Sequence, residues 1–349
     1  MEYLIEYGMF LAKAVTIVIA IALVVGIIAA ASSRQRKGSD DKGHIRVNKL
    51  NEKLEQLQEE LQRAILDKDG WKRLQKEKKQ KLKKEKKSAA ADAGAERKKR
   101  VYVISFKGDI AATEVSNLRE EITAVLSMAE TADEVVLRLE SPGGMVHAYG
   151  LASSQLSRIK ERKIPLTICV DKVAASGGYM MACLADKLVA APFAIIGSIG
   201  VLVQMPNFHR LLKKNEIDYE TITAGEFKTT LTTFGEITQK GRDKVKGDVE
   251  DMHELFKRWV KSHRPSVDID KISTGETWVG LQAKDRYMVD EIRTSDEIII
   301  AACADADVFE VSYEQKQSLQ NKLSGVFRSS TAQVLDEFTE RANNNSFFS

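Results

Sequence analysis

The stretch Leu166–Cys183, LTICVDKVAASGGYMMAC, decides the fold. Leu166–Val170 is an apolar run of strand length. Small residues then surround Ser176, two glycines follow it, and Tyr179 opens a second apolar run with helical spacing. Strand, tight turn with a serine, then helix is the context in which a serine hydroxyl becomes a nucleophile. The turn exposes the side chain, and unpaired backbone N–H groups at the helix start can meet a developing oxyanion. The competing reading is a serine N-cap with glycines chosen for close packing. Both stand on this stretch alone.

Working outward, the same alternation recurs on either side. Val101–Phe106 and Val135–Leu139 have strand character, and Thr113–Met128 and Val146–Ile159 have helical spacing. Lys187–Ala190 and Gly200–Met205 are expected as further strands, and Tyr219–Thr223 as another, leading into AGEFK at Ala224–Lys228. Leu211–Lys214 closes a short helix, Thr238–Ser262 is a long amphipathic one, and Asp296–Ala304 is one more. Thr277–Leu281 and Arg286–Ile292 read as a short strand-like pair. Strands alternating with helices predict an α/β domain with a largely parallel sheet, whose active sites gather at the carboxyl ends of the strands. Two glycine turns fall at that end, Pro142–Gly144 and Ser176–Gly178.

The flanks have another character. Residues 8–31 form an apolar run broken only by Lys13, and roughly 20 residues cross a ~30 Å hydrocarbon core. Glu2 and Glu6 precede it where a cleaved signal would carry positive charge, so a retained membrane anchor is expected. Arg34, Arg36, Lys37 and Lys42 follow the run, and by the positive-inside rule they place the bulk of the chain in the cytoplasm. Within 32–100, Leu50, Leu54, Leu57, Leu61 and Ile65 recur at spacings of three and four, a coiled-coil-like stripe that predicts self-association. The dense basic run from Lys72 to Arg100 reads as a solvated linker near anionic headgroups; only Trp71 at its edge offers a ring for base stacking, so nucleic acid is not expected as a partner. The folded domain is expected over 101–312 and a polar tail over 313–349. Of 349 residues 43% are apolar, enough for a substantial core. Cys169, Cys183 and Cys303 lie in apolar contexts without metal-like spacing, and neither metal nor cofactor is expected.

A nucleophilic serine needs a proton acceptor. His44 lies in the linker, and His209, His253 and His263 lie in polar helical or loop segments; His147, just past Gly144, is the one histidine able to approach the turn. The alternative is a lysine. Its reference pKa of about 10.4 must fall by about three units, which burial among apolar groups can achieve. Lys228 stands apart from the charged clusters that hold most lysines of this chain. A surface loop lysine and a helix-face histidine are the corresponding plain readings.

Five segments, VYVISFKGDI (Val101–Ile110), ESPGG (Glu140–Gly144), AASGGY (Ala174–Tyr179), IGSIGV (Ile196–Val201) and GEFK (Gly225–Lys228), occur in an order and spacing that resembles the signal peptide peptidase A family of serine proteases, in its half-length form with one anchor. The resemblance spans about Val101 to Ile292. It implies a Clp protease/crotonase-like α/β fold, here preceded by one transmembrane helix and the coiled-coil-like basic linker. It further implies a Ser–Lys dyad of Ser176 and Lys228, and an oxyanion hole from backbone N–H groups of Gly143 or Gly144 and of Gly177. Ser198 would orient the lysine. The segment after the nucleophile's helix, where Clp proteases carry their histidine, has none here.

The implied activity is cleavage of peptides such as membrane-released signal peptides or unfolded segments, by a membrane-anchored homo-oligomeric ring in the bacterial inner membrane. Many members face the periplasm, against the charge rule, so the side stays open. KDRYMVD at Lys284–Asp290 departs from the Gly-Leu-Val-Asp turn expected there. Two rival readings keep the fold: a non-proteolytic membrane scaffold, and a crotonase-like acyl-CoA enzyme with no need of the Ser176 hydroxyl.

Overall fold

The computed structural model describes residues 13, 16, 43–91 and 97–315. The expected anchor, apart from Lys13 and Thr16, and the tail beyond 315 lie outside the described residues. Among the described residues no helix is long and apolar enough to cross a membrane.

The chain runs β1 (His44–Lys49), α1 (Leu50–Ile65), α2 (Lys68–Ala91), β2 (Arg100–Lys107), α3 (Val115–Leu126), β3 (Glu134–Glu140), α4 (Val146–Glu161), β4 (Leu166–Val170), β5 (Val173–Ala175) and α5 (Gly177–Ala182). It continues through β6 (Lys187–Ala190), β7 (Ile195–Gly197), α6 (His209–Lys214), α7 (Gln239–His263), α8 (Ile269–Ile272), β8 (Thr277–Val279), α9 (Gly280–Asp285), β9 (Glu291–Ile292), α10 (Ser295–Asp305) and β10 (Asp307–Glu314). Seven strands form one sheet in the order β1-β10-β2-β3-β4-β6-β9, and β5-β7-β8 form a second. From β10 to β9 every pairing in the large sheet is parallel, with Val101 opposite Glu134 and Val135 opposite Leu166.

Side-chain alternation explains why both faces of the large sheet are covered. Along β2, Tyr102, Ile104 and Phe106 enter the larger core with Leu118 and Ile122 of α3 and Leu156 of α4. Val101 and Val103 point to the opposite face, into a smaller core with Val136, Cys169, Val189, Val308 and Ile299 of α10. The two sheets meet where the backbone of Ser141, just past β3, bridges Ala174 of β5. That junction lies at the carboxyl ends of β3 and β4.

Several expectations change. The domain does not begin at Val101: His44–Lys49 is a strand beside β10, and Asn51 fastens the start of α1 by donating to the carbonyls of Cys303 and Ala306 and accepting from Val308 N–H. β10 went unread because its charged and aromatic residues hide the alternation, yet it sits between β1 and β2. Gly200–Met205 and Tyr219–Thr223 form no strand, and Leu202, Val203, Tyr219 and Ile222 are exposed there. Thr277–Val279 and Glu291–Ile292 do not pair with each other: the first runs antiparallel to β7, the second parallel to β6. The departing KDRYMVD segment packs well. Met288 and Val289 are buried, the Tyr179 hydroxyl donates to Met288 carbonyl, and Asp290 receives both terminal nitrogens of buried Arg264 at 2.6 and 2.8 Å.

Candidate active site

Ser176 sits between β5 and α5 with φ 51° and ψ −119°, a conformation that side-chain-bearing residues rarely adopt and that marks strained functional turns. Its side chain makes no capping hydrogen bond, so the N-cap reading does not describe what the hydroxyl does. The strain is held by Ser176 N–H donating to Gly197 carbonyl at 2.8 Å and by Met180 N–H donating to Ser176 carbonyl at 3.0 Å.

Gly143 lies directly against this turn. With φ 89°, it would place a Cβ 2.7 Å from Ser176 Cβ and 2.8 Å from Gly177 nitrogen, so only glycine fits. A Cβ on Gly177 would run into the Tyr149 ring. The two glycine turns singled out in the sequence are thus brought together. The Gly143 N–H donates to Ser141 Oγ at 3.1 Å. Among the described residues, no acceptor in the chain takes the N–H of Gly144 or Gly177.

Beside Ser176 opens a cavity of about 380 Å³ whose walls are mostly apolar. Gly144, Ser176 and Gly177 lie along it, and Val146, Met180, Met252, Leu255, Phe256 and Trp259 make its apolar lining. Trp259 is fixed by its Nε1–H, which donates to Met180 carbonyl at 3.0 Å. Gly150 keeps one wall open, since a Cβ there would meet nothing within 4 Å. Ser153 Oγ is a buried hydroxyl in the wall with no hydrogen-bond partner among the described residues.

The expected base stands elsewhere. Lys228 follows a turn closed by its own N–H to Gly225 carbonyl, with Gly225 at φ 97°. It is exposed, does not line the cavity, and shares no hydrogen bond with Ser176 among the described residues. It rides on a segment between β7 and α7, irregular apart from α6, with Leu202, Val203, Phe208, Ile222 and Phe227 turned to solvent. Ser198, also at positive φ (51°), is joined to the residue just before β8 by its N–H, which donates to Glu276 carbonyl at 2.6 Å. The Gly197 that precedes it accepts from Ser176. His147 is exposed and is not part of the cavity wall.

Sequence reading passed over Tyr149 and the role of Ser141. Both are fully buried, and their hydroxyls lie 2.5 Å apart. Burial pushes the Tyr149 phenol above its ordinary pKa. A buried tyrosine must find a partner for its hydroxyl, and that need was the available signal. The α7 wall of the cavity was hidden for a different reason: apolar spacing on a helix says which face is covered, not what it covers.

Comparison with known proteins gives the class of the chain as a peptidase. Residues 2–156 match the N-terminal region of peptidase family S49 and residues 158–308 match the S49 peptidase itself, so the chain belongs to that family and is a protease by class. Its resemblance extends over nearly full length to proteins of one kind. It is 47% identical over 346 residues to "Probable protease SohB" of Haemophilus influenzae, covering 97% of each chain. Over 301 residues it is 47% identical to the protein of the same name from Buchnera aphidicola subsp. Schizaphis graminum, covering 86% of this chain and 87% of that one. A more distant similarity, 28% over 167 residues, links it to "Protease 4" of H. influenzae, with 47% of this chain and 27% of that one covered.

Proposed function

We propose that the protein is a membrane-anchored serine endopeptidase whose Ser176 is activated by Lys228 of a neighbouring copy. The observation that carries this reading is a division within one chain. Among the described residues Ser176 has the strained turn, free backbone donors and an apolar cavity beside it, yet no base, while Lys228 has no partner and rides on an exposed apolar segment. A surface bearing that many apolar side chains is suited to covering by another copy. A repeated head-to-tail contact of this kind gives a ring when its rotation closes. The exposed stripe on α1, where Leu57 is 55% and Ile65 72% accessible, gives a second means of self-association.

In the reaction, Lys228 as the neutral amine takes the proton of Ser176 as its Oγ attacks the peptide carbonyl. The tetrahedral oxyanion is held by Gly177 N–H and an N–H of the Pro142–Gly144 turn, of which Gly144 is the one without an acceptor among the described residues. Lys228 then passes its proton to the leaving amine, and water enters by the reverse route to release the acyl group. Covering by a neighbour would bury the lysine, which is the condition for a neutral amine near pH 7. Ser198 is suited to orient that amine, because its turn is linked through Gly197 to Ser176.

The cavity favours a large aliphatic or aromatic side chain beside the scissile bond, and substrates are extended apolar peptides, such as segments released from membranes. The apolar run at 8–31 anchors the chain in the inner membrane of a bacterium, close to that supply. The test is hydrolysis of fluorogenic apolar peptides by protein purified in detergent. Wild type is expected to cleave, with Ser176→Ala and Lys228→Ala both inactive. Activity surviving in Ser176→Ala would end the mechanism, and a wild type inactive on every peptide would favour a scaffold.

A further inference from the structure

We infer that Tyr149 is a positioning residue for the oxyanion hole, acting through a buried chain of hydrogen bonds whose direction is fixed. The inference rests on the reading of Ser176 as nucleophile. Its ground is a count of protons. The Asp109 carbonyl can only accept, so the hydroxyl of Tyr149, 2.8 Å away, spends its one proton there. The Tyr149 oxygen must then accept from Ser141 Oγ–H across 2.5 Å. Ser141 Oγ, having given its proton, accepts from Gly143 N–H at 3.1 Å. With a pure donor at one end and a pure acceptor at the other, no other arrangement satisfies all four groups. Both hydroxyls are inaccessible to water, so no solvent molecule can replace a lost member.

The chain controls a peptide that would otherwise turn freely. Gly143 has no side chain and a positive φ, so the plane of the Pro142–Gly143 peptide has little intrinsic restraint. The bond to Ser141 Oγ fixes it, and thereby fixes where the following N–H, of Gly144, stands along the cavity. Ser141 is itself anchored to the strand that leads into Ser176: its N–H donates to Val173 carbonyl at 2.8 Å and its carbonyl accepts from Ala175 N–H at 3.0 Å. Tyr149 also reaches the other half of the hole. Its ring occupies the space where a side chain on Gly177 would be, with Cδ2 only 2.7 Å from the ideal Cβ position. One residue of α4 therefore backs Gly177 with its ring and steadies the Pro142–Gly144 turn with its hydroxyl.

Tyr149→Phe keeps the ring and breaks the chain; Ser141→Ala breaks it one step nearer the turn. The experiment measures kcat and KM on an apolar peptide, and the inhibition constant of a peptide aldehyde that forms a tetrahedral adduct, for wild type, both single variants and the double. Removal of a direct oxyanion donor costs about 100–1,000-fold in kcat, so loss of its support is expected to cost about 10–100-fold. KM should stay within about twofold, and aldehyde binding should weaken in parallel with kcat, because the hole acts on the tetrahedral species. The double variant should be no worse than Ser141→Ala, since both cut one chain. A kcat unchanged in Tyr149→Phe, a loss confined to KM, or losses that multiply in the double variant would each overturn the inference. Should Tyr149→Phe melt early, Ser141→Ala alone decides by the same split. With wild type active and Ser176→Ala dead, such a result leaves the nucleophile standing; a wild type without peptidase activity removes both.

Discussion

Replacing Gly150 by leucine separates the cavity's role in catalysis from its role in stability. Gly150 lies on α4 with its Cβ direction open, and the space in front of it is the cavity of about 380 Å³ beside Ser176. Folding should gain: glycine within a helix is about 1 kcal/mol worse than alanine, and leucine is among the good helix formers. Binding of a bulky side chain should lose. Burying a leucine or phenylalanine side chain is worth about 1.5–3 kcal/mol, so a filled cavity should lower kcat/KM by about 10–150-fold on peptides with such a residue at the cleaved bond. Peptides with alanine there bury little in the cavity and should be cleaved within about threefold of wild type, a difference below 1 kcal/mol. The assay pairs hydrolysis of two matched fluorogenic peptides with a thermal melt. Equal losses on both peptides, or undiminished cleavage of the leucine peptide, would refute the assignment of the cavity to substrate.

Other consequences concern stability. Glu121 of α3 is buried against β10 and accepts Tyr313 N–H at 2.8 Å; burial, with Glu114 nearby, pushes its pKa up from 4.5 to about 7. The folded state thus keeps a proton that the unfolded chain has lost between pH 4.5 and about 7, so stability falls as pH rises through that window. Glu121→Gln should stabilise by about 2 kcal/mol above pH 7.5, as read by urea denaturation, and by almost nothing near pH 4.5; a pH-independent effect would contradict the burial argument. Arg264→Ala removes the partner of Asp290, whose carboxylate also takes Leu188 N–H at 2.7 Å. A loss of about 3 kcal/mol is expected, near the lower end for a broken buried pair because Asp290 keeps some contact with water, and a loss under 1 kcal/mol would mean the pair is not what secures α7 to the sheet.

Much of this architecture was legible because period and punctuation agreed. β4 and β6 fall on the residues their apolar runs predict, and Ser176 lies on the turn that its small neighbours predict. The failures have physical causes. Val203 and Ile222 have strand-forming side chains, but no adjacent strand among the described residues takes their backbone groups, and propensity without a partner does not make a sheet. β1 and β10 were missed because their charged residues mask alternation, while distant pairing brings β10 beside β2 and β1 beside β10 at the sheet edge. The site was legible in its serine and glycines, which local backbone geometry demands. Tyr149 carried only the general signal of a tyrosine that needs a hydroxyl partner, because its importance comes from what two other loops place around it.

The central claim, that Ser176 is completed by Lys228 from another copy, is tested most directly by mixing. Ser176→Ala and Lys228→Ala protein, each inactive alone, are combined in equal amounts, dissociated and reassembled, and assayed on an apolar fluorogenic peptide. Random assembly joins an intact serine to an intact neighbouring lysine at about a quarter of the sites in a head-to-tail ring, so about a quarter of wild-type activity should return. A reassembled mixture as inactive as its components would contradict the account.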